Sequence, residues 1–196
     1  MTFDLENELL LKGYKIIGGI DEAGRGPLAG PVSAACVILD RNNIPEGIND
    51  SKKLSEKKRE KLYDEIMEKA IVSCALVDAK TIDEINIREA TKLCMKKAVE
   101  GLPQKPDFLL IDGNFIINAI ENEKFVIGGD ALSLSIGAAS IIAKVTRDRL
   151  MQKIDEEYPM YNFKKHKGYG TKEHIEMIKA HGPCPYHRRS FLTKIL

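Results

Sequence analysis

Two hydrophobic rhythms run through the chain, and the switches between them mark its elements. The stretch "YKIIGGID" (14–21) is apolar on both faces, the pattern of a central strand covered on both sides. "PVSAACVIL" (31–39) has the same character. The link between them, 22–30, is too short and too rich in Gly and Pro for a crossover helix, so the two strands are predicted as antiparallel neighbours. "SEKKREKLYDEIMEKA" (55–70) sets Leu62, Ile66 and Ala70 on one stripe behind Ser55, which predicts a helix with Ser55 as its N-cap. Further strands are predicted over 71–79, 107–113 and 124–130, and further helices over 86–102, 133–158 and 171–182. The first half of 133–158 is small and apolar, which predicts close packing on a sheet. Strands interleaved with helices in this order predict an α/β domain, a mixed sheet with covering helices. One domain is expected over 1–196. Its core is 1–158, and 159–196 is a helical C-terminal part with few residues for an independent fold.

Composition narrows the class. The chain is 43% hydrophobic and 30% charged, the balance of an ordinary soluble globular protein. No apolar run approaches the ~18 residues of a membrane span, and the acidic "MTFDLENELL" lacks the basic-then-apolar order of a signal peptide. A cytoplasmic protein with no membrane contact is expected. Cys36, Cys74, Cys94 and Cys184 form no C-x-x-C pair and read as reduced packing residues. Net charge is only +1, but it is unevenly spread. Residues 159–196 hold eight Lys or Arg against two Glu, a net of +6, which leaves about −5 for the rest. A basic tail on an acidic body suits a phosphate-bearing partner and equally suits a solvated helical face.

Carboxylates carry the sharper signal. The apolar runs "GGID", "LLID" and "IGGD" end at Asp21, Asp112 and Asp130, each with glycine beside it or just before it, and Glu22 follows Asp21. An Asp after a strand is by itself an ordinary turn residue, and Asp40 and Asp78 also follow apolar runs. Four carboxylates at adjacent strand ends would repel unless hard cations neutralised them. An oxygen-only ligand set points to Mg²⁺ or Mn²⁺ rather than zinc. Paired divalent ions perform phosphoryl transfer without a nucleophilic side chain.

The next segment, "GRGPLAG" (24–30), is no P-loop, since no G-K-[ST] follows. It approaches the dinucleotide fingerprint, but Ala29 stands at the last glycine position and a strand follows rather than a helix. Gly24 and Gly26 would let backbone groups approach a ligand with no Cβ between. A backbone that touches a sugar can test for the 2′-hydroxyl, and Arg25 suits a phosphate.

Together these motifs identify a family. "DEAGRGPLAGPV" resembles the N-terminal signature of the type 2 ribonucleases H, in particular bacterial ribonuclease HII. The resemblance continues through "NDSKKLSEKKRE" (49–60), "NIREATKLCMKKA" (86–98), "LLIDG", "GGD", "IGAASIIAKVTRDRLM" (136–151) and "HKGYGTKEH" (166–174). It implies a ribonuclease H-like fold, a five-stranded mixed sheet flanked by helices with a helical C-terminal part. By that resemblance Asp21, Glu22, Asp112 and Asp130 are the catalytic and metal-holding carboxylates. Gly24, Arg25 and Gly26 form the ribonucleotide-sensing loop, and Tyr169 is the aromatic that works with it. Lys52 falls in the phosphate-contacting segment. Ser140, Lys144 and Arg147 lie at i, i+4 and i+7 on one helix face. That face either meets the substrate backbone or lets Lys144 and Arg147 pair with nearby acids. His166 and Lys167 are expected phosphate contacts. Arg188 and Arg189 read as substrate contacts or as a solvated tail. His174 and His181 read as surface helix residues.

The implied activity is cleavage of the RNA strand of RNA–DNA hybrids and of duplex DNA carrying a single ribonucleotide, with Mg²⁺ or Mn²⁺. A monomer is expected, and no motif specifies a sliding-clamp contact. The related ribonuclease HIII is disfavoured because only 20 residues precede Asp21. A non-catalytic nucleic-acid-binding module would leave four carboxylates facing phosphates without purpose.

Overall fold

The computed structural model describes residues 1–49 and 51–196. Asp50, inside the 49–60 motif, lies outside the described residues. Five strands, β1 (Ile17–Ala23), β2 (Val32–Leu39), β3 (Ala70–Val77), β4 (Phe108–Asp112) and β5 (Glu123–Val126), form one sheet in the order β3-β2-β1-β4-β5. Strand β1 pairs antiparallel with β2, and β2 with β3, while β1–β4 and β4–β5 are parallel. The sheet is therefore mixed, as the pattern predicts, and β1 is its middle strand.

Period-two alternation splits the sheet residues between two cores. Ile20, Ala34, Cys36, Leu109 and Ile111 face Ala90, Cys94, Met95 and Ala98 of helix α3 (Ala79–Glu100). On the other face Ala35, Val37 and Leu39 meet Ala138, Ala139 and Ile142 of the long helix, here α5 (Leu134–Glu157). Leu62 and Ile66 of α2 (Glu56–Lys69) close that layer. The small residues of α5 allow the expected close approach. At Gly19 of β1, a Cβ would lie 2.2 Å from the carbonyl carbon of Ser135.

Three elements differ from the sequence reading. The stretch "DLENELLL" forms an unanticipated helix, α1 (Asp4–Leu11), held by buried Leu9 and by Glu6, whose Oε1 accepts from Ser133 Oγ and the Ser135 amide. Helix α3 starts at Ala79, capped by Asp78, and changes direction at Asn86 (φ 66°). There Oδ1 of Asn86 accepts from the amides of Arg88 and Glu89, so the pattern that begins at 86 is the second of two abutting helical segments. Strand β5 stops at Val126. Gly128 turns left-handed at φ 66°, and Gly129–Leu132 form a short helix, α4. Asp130 is thus in a helical first turn and not at a strand end.

Residues 159–196 carry a 3-10 turn (Pro159–Tyr161), α6 (Phe163–His166) and α7 (Lys172–His181). Phe163, Ile178 and Leu192 pack with Met151 and Ile154 of α5 and with Ala29 in the loop after β1. Cys36, Cys94 and Cys184 are buried and free. Among the described residues, no helix is long and apolar enough to cross a membrane.

The Gly19 contact sets a test. Gly19→Ala forces α5 off β1 and costs about 1–3 kcal/mol, the usual range for overpacking. Urea unfolding should show a lowered midpoint. An unchanged midpoint would show that the helix can yield at no cost.

Candidate active site

Register on the central strands creates the site. Ile20 and Ile111 are partners in the β1–β4 ladder, so Asp21 and Asp112 follow side by side, one step further. Gly19 approaches Ser135 of α5, and Leu110 packs with Ile136 of α5. Asp21 and Asp112, two residues on from each, therefore face the same helix. The left-handed turn at Gly128 brings α4 beneath them, and the Asp130 amide donates to Asp112 Oδ1 at 3.3 Å. One oxygen each from Asp21, Asp112 and Asp130 lie within 4.8 Å of one another.

Glu22 stands outside this three-oxygen cluster. Its carboxylate takes Arg25 at 3.4 Å, yet its charge reaches Asp21 and it feels that of Asp112. Burial pushes the Asp21 carboxyl well above the usual range, and the charges of Glu22 and Asp112 add to the push. The Ser140 hydroxyl and the Glu22 amide oppose it. Asp112 is raised by burial and by Asp130, against the amides of Asp130 and Gly129 and the charge of Lys52. Glu22 is raised by burial, against Arg25. Mutually repelling carboxylates, Asp21 buried and Glu22 and Asp112 partly so, with oxygen donors alone, fit a hard divalent cation.

One cleft joins Asp21 and Glu22 to the glycine loop at Gly24, Arg25 and Gly26, with Lys52, Ser140, Lys144 and Tyr169 around it. Lys52 Nζ lies 3.6 Å from Asp130. Ser140 Oγ shares a hydrogen bond with Ser51 Oγ at 2.8 Å. Lys144 reaches the cleft and pairs with Asp148 at 2.8 Å. Tyr169 is 44% exposed, and its Cε1 lies 3.8 Å from where a Cβ would stand on Gly26. The loop after β1 and the "HKGYG" loop thus form the two sides of one opening.

Other predicted contacts turn inward. Arg147 is 1% exposed. Its guanidinium pairs with no acid among the described residues and donates to the carbonyls of Ala29, Pro31 and Lys167. Arg188, a candidate solvated residue, is fully buried and donates to the carbonyls of Gly24, Arg25 and Gly30. His166 is buried, and both of its ring nitrogens have backbone partners. Lys167 lies outside the cleft lined by Asp21 and Glu22, and its Nζ donates to the Lys164 carbonyl. Arg189 is exposed, as a solvated residue would be.

His174 is buried rather than on the surface, and with His187 it forms a relay absent from the sequence reading. His174 Nδ1 sits 2.9 Å from the Tyr169 carbonyl and must carry a proton to bond it. Its Nε2 then accepts, so His187 Nε2 donates across 3.0 Å. His187 Nδ1 is left to accept from the Cys184 amide at 3.0 Å. This tautomer assignment follows from the partners, and it uses both rings in the neutral form. His166 obeys the same logic, donating to the Tyr161 carbonyl and accepting from the Gly168 amide. Desolvation, opposed by the Tyr169 carbonyl, holds His174 down to about 4. Desolvation and the His174 charge do the same for His187, also to about 4.

Two stability predictions follow from these charges. A native histidine held at about 4, against about 6.5 in the unfolded chain, binds fewer protons than the unfolded state between those values. Stability is therefore full above pH ~6.5 and is lost as pH falls towards 4. A His174→Gln/His187→Gln variant should show a flatter Tm profile across that window in scanning calorimetry. For Asp21 the sign reverses. A raised native carboxyl makes the unfolded state release its proton first, so the metal-free protein loses stability as pH rises above the ordinary carboxylate range. In EDTA at pH 7.5, Asp21→Asn should melt a few degrees above wild type, since ~1 kcal/mol is worth about 2–4 °C at this length. The gap should close in acid. A variant no more stable in EDTA would mean that the cluster is not repulsive.

Comparison with known proteins gives the family. The ribonuclease HII family model matches residues 18–194. The ribonuclease HII of Caldicellulosiruptor bescii is 57% identical over 99% of this chain and 95% of its own. That of Clostridioides difficile is 53% identical over 97% of this chain and 75% of its own. Among solved structures, ribonuclease H2 of Pyrococcus horikoshii superposes with a TM-score of 0.79 at 30% identity, covering 92% of this chain and 97% of that one. Ribonuclease HII of Archaeoglobus fulgidus, solved in complex with PCNA, gives 0.77 at 27% identity, covering 89% and 94%. The chain belongs to the ribonuclease HII family and is a metal-dependent ribonuclease H, an endonuclease that acts on RNA–DNA hybrids.

Proposed function

We propose that this enzyme cuts on the 5′ side of single ribonucleotides embedded in duplex DNA, besides cleaving the RNA strand of hybrids. It would leave 3′-hydroxyl and 5′-phosphate ends. The observation that supports this reading is one cleft lined by Asp21 of the three-carboxylate cluster, by Glu22, by the glycine loop and by Tyr169. Asp21, Asp112 and Asp130, with Glu22 beside them, would hold two Mg²⁺ or Mn²⁺ ions. Such ions activate water for in-line attack and stabilise the departing oxygen.

The chain's own residues do the rest. Gly24–Gly26 lay bare backbone at the height of the sugar next to the cut, where a 2′-hydroxyl can be tested. Tyr169 offers an aromatic face to the neighbouring sugar. Lys52 and Lys144 bring positive charge to a site otherwise hostile to phosphate, and Arg25 stands at its rim. A monomeric, cytoplasmic enzyme of ribonucleotide excision and primer removal suits this chemistry.

Cleavage of a duplex with one ribonucleotide tests the reading. Asp21→Asn should lose on the order of 10³-fold or more in rate with saturating Mg²⁺, a loss typical of removing a preorganised charge-stabilising group, and EDTA should abolish cleavage by wild type. Tyr169→Ala should lose more on that substrate than on an all-RNA hybrid. Ordinary activity of Asp21→Asn would refute the metal assignment, and equal losses for Tyr169→Ala would refute junction sensing.

A further inference from the structure

Two buried arginines hold the glycine loop, and neither has a carboxylate within salt-bridge distance among the described residues. An unpaired buried guanidinium is costly unless its donors are satisfied. Here every bond goes to backbone carbonyls. Arg188 takes those of Gly24, Arg25 and Gly30, each from a different nitrogen. Arg147 takes Ala29 and Pro31 from the far end of the same loop, and Lys167 from the loop that carries Tyr169. Burial drags Arg188 down to about 9, helped by the charge of Arg147. Two like charges are thus kept close together at the back of one loop. The carbonyls they collect, with the rings of Tyr169 over Arg147 and Phe191 over Arg188, offset the desolvation.

The geometry of the loop explains what that arrangement achieves. Gly24 has φ +92°, and a Cβ there would lie 2.1 Å from Arg147 Nε, so the backbone rests directly on the guanidinium. With the carbonyls of Gly24 and Arg25 drawn inward, the loop's outer side turns towards the cleft. The Lys167 bond pins the Tyr169 segment to the same side chain, and the Arg147 guanidinium carbon stands 6.0 Å from the Tyr169 ring. Backbone bonds reinforce the join, from the Leu28 amide to the Gly168 carbonyl and from the Arg188 amide to the Leu28 carbonyl, both at 2.8 Å.

We propose that Arg147 and Arg188 are positioning residues for ribose recognition: they fix the Gly24–Gly26 backbone and the Tyr169 loop at one spacing, so that the sugar is read while the metal cluster is left untouched. This rests on the reading of that loop as the sugar sensor. Lysine cannot substitute, because a point charge lacks the planar fork that collects several carbonyls at once.

The experiment compares Arg147→Lys and Arg188→Lys with wild type. It measures folding by circular dichroism, Mn²⁺ affinity by calorimetry, and kcat and KM on a single-ribonucleotide duplex and on an all-RNA hybrid. Both variants should fold and bind Mn²⁺ within about twofold of wild type. The ratio of kcat on the single-ribonucleotide duplex to kcat on the hybrid should fall at least tenfold, because displacement of about 1 Å at a reacting site costs ~10²-fold. If one variant is unfolded, the other carries the same readout. An unchanged ratio, equal losses on both substrates, loss of Mn²⁺ binding, or loss of the fold in both variants would overturn the proposal. Failure of the functional reading looks different: wild type itself would not cut the single-ribonucleotide duplex in Mn²⁺.

Discussion

Much of this structure depends on how closely helix α5 can lie on strand β1. The backbones meet at Gly19 and Ser135, where no side chain would fit. That contact sets the height of every α5 residue over the sheet. Ser140 then reaches Asp21, Lys144 reaches the cleft, and Arg147 arrives beneath the glycine loop. A bulkier pair at the crossing would lift all three together. The run of small residues in the first half of α5 is therefore a condition of the site as much as of the core.

The site itself opposes folding in the absence of metal. Burial and mutual repulsion raise Asp21, Glu22 and Asp112, so the carboxylates are assembled against their electrostatics by the strand register and the α4 turn. The cost is borne by the two apolar cores. The relay through His174 and His187 has the complementary role. It ties the Tyr169 carbonyl to the C-terminal segment with neutral rings, which give fixed directions to the hydrogen bonds without adding charge beside the buried arginines.

The segment 159–196 shows what a compositional signal leaves open. Its +6 charge suits a phosphate-bearing partner and a solvated face equally. Yet Arg188 and His166 lie in the interior and His174 is fully buried, because the segment closes over Met151 and Ile154 and completes a core. Charge counts do not distinguish a guanidinium that meets phosphate from one that meets carbonyls. Both satisfy the same donors, and only the path of the neighbouring backbone decides between them.

Local pattern determined a good deal by itself. The mixed sheet, the antiparallel β1–β2 pair and the Ser55 cap are short-range consequences of alternation, loop length and side-chain chemistry. Asp21 and Asp112 were legible because each ends an apolar strand, and a strand end has few places to go. Tertiary structure decided what depends on long-range contact. It moved Asp130 from a strand end into a helical turn, since Gly128 can take a left-handed conformation that no strand pattern records. It set Glu22 apart from the three-oxygen cluster. It turned Arg147 and Arg188 inward onto backbone carbonyls far away in the chain, which leave no trace in the identity of the residues that bear them, and it buried His166, His174 and His187 where the C-terminal segment folds onto α5.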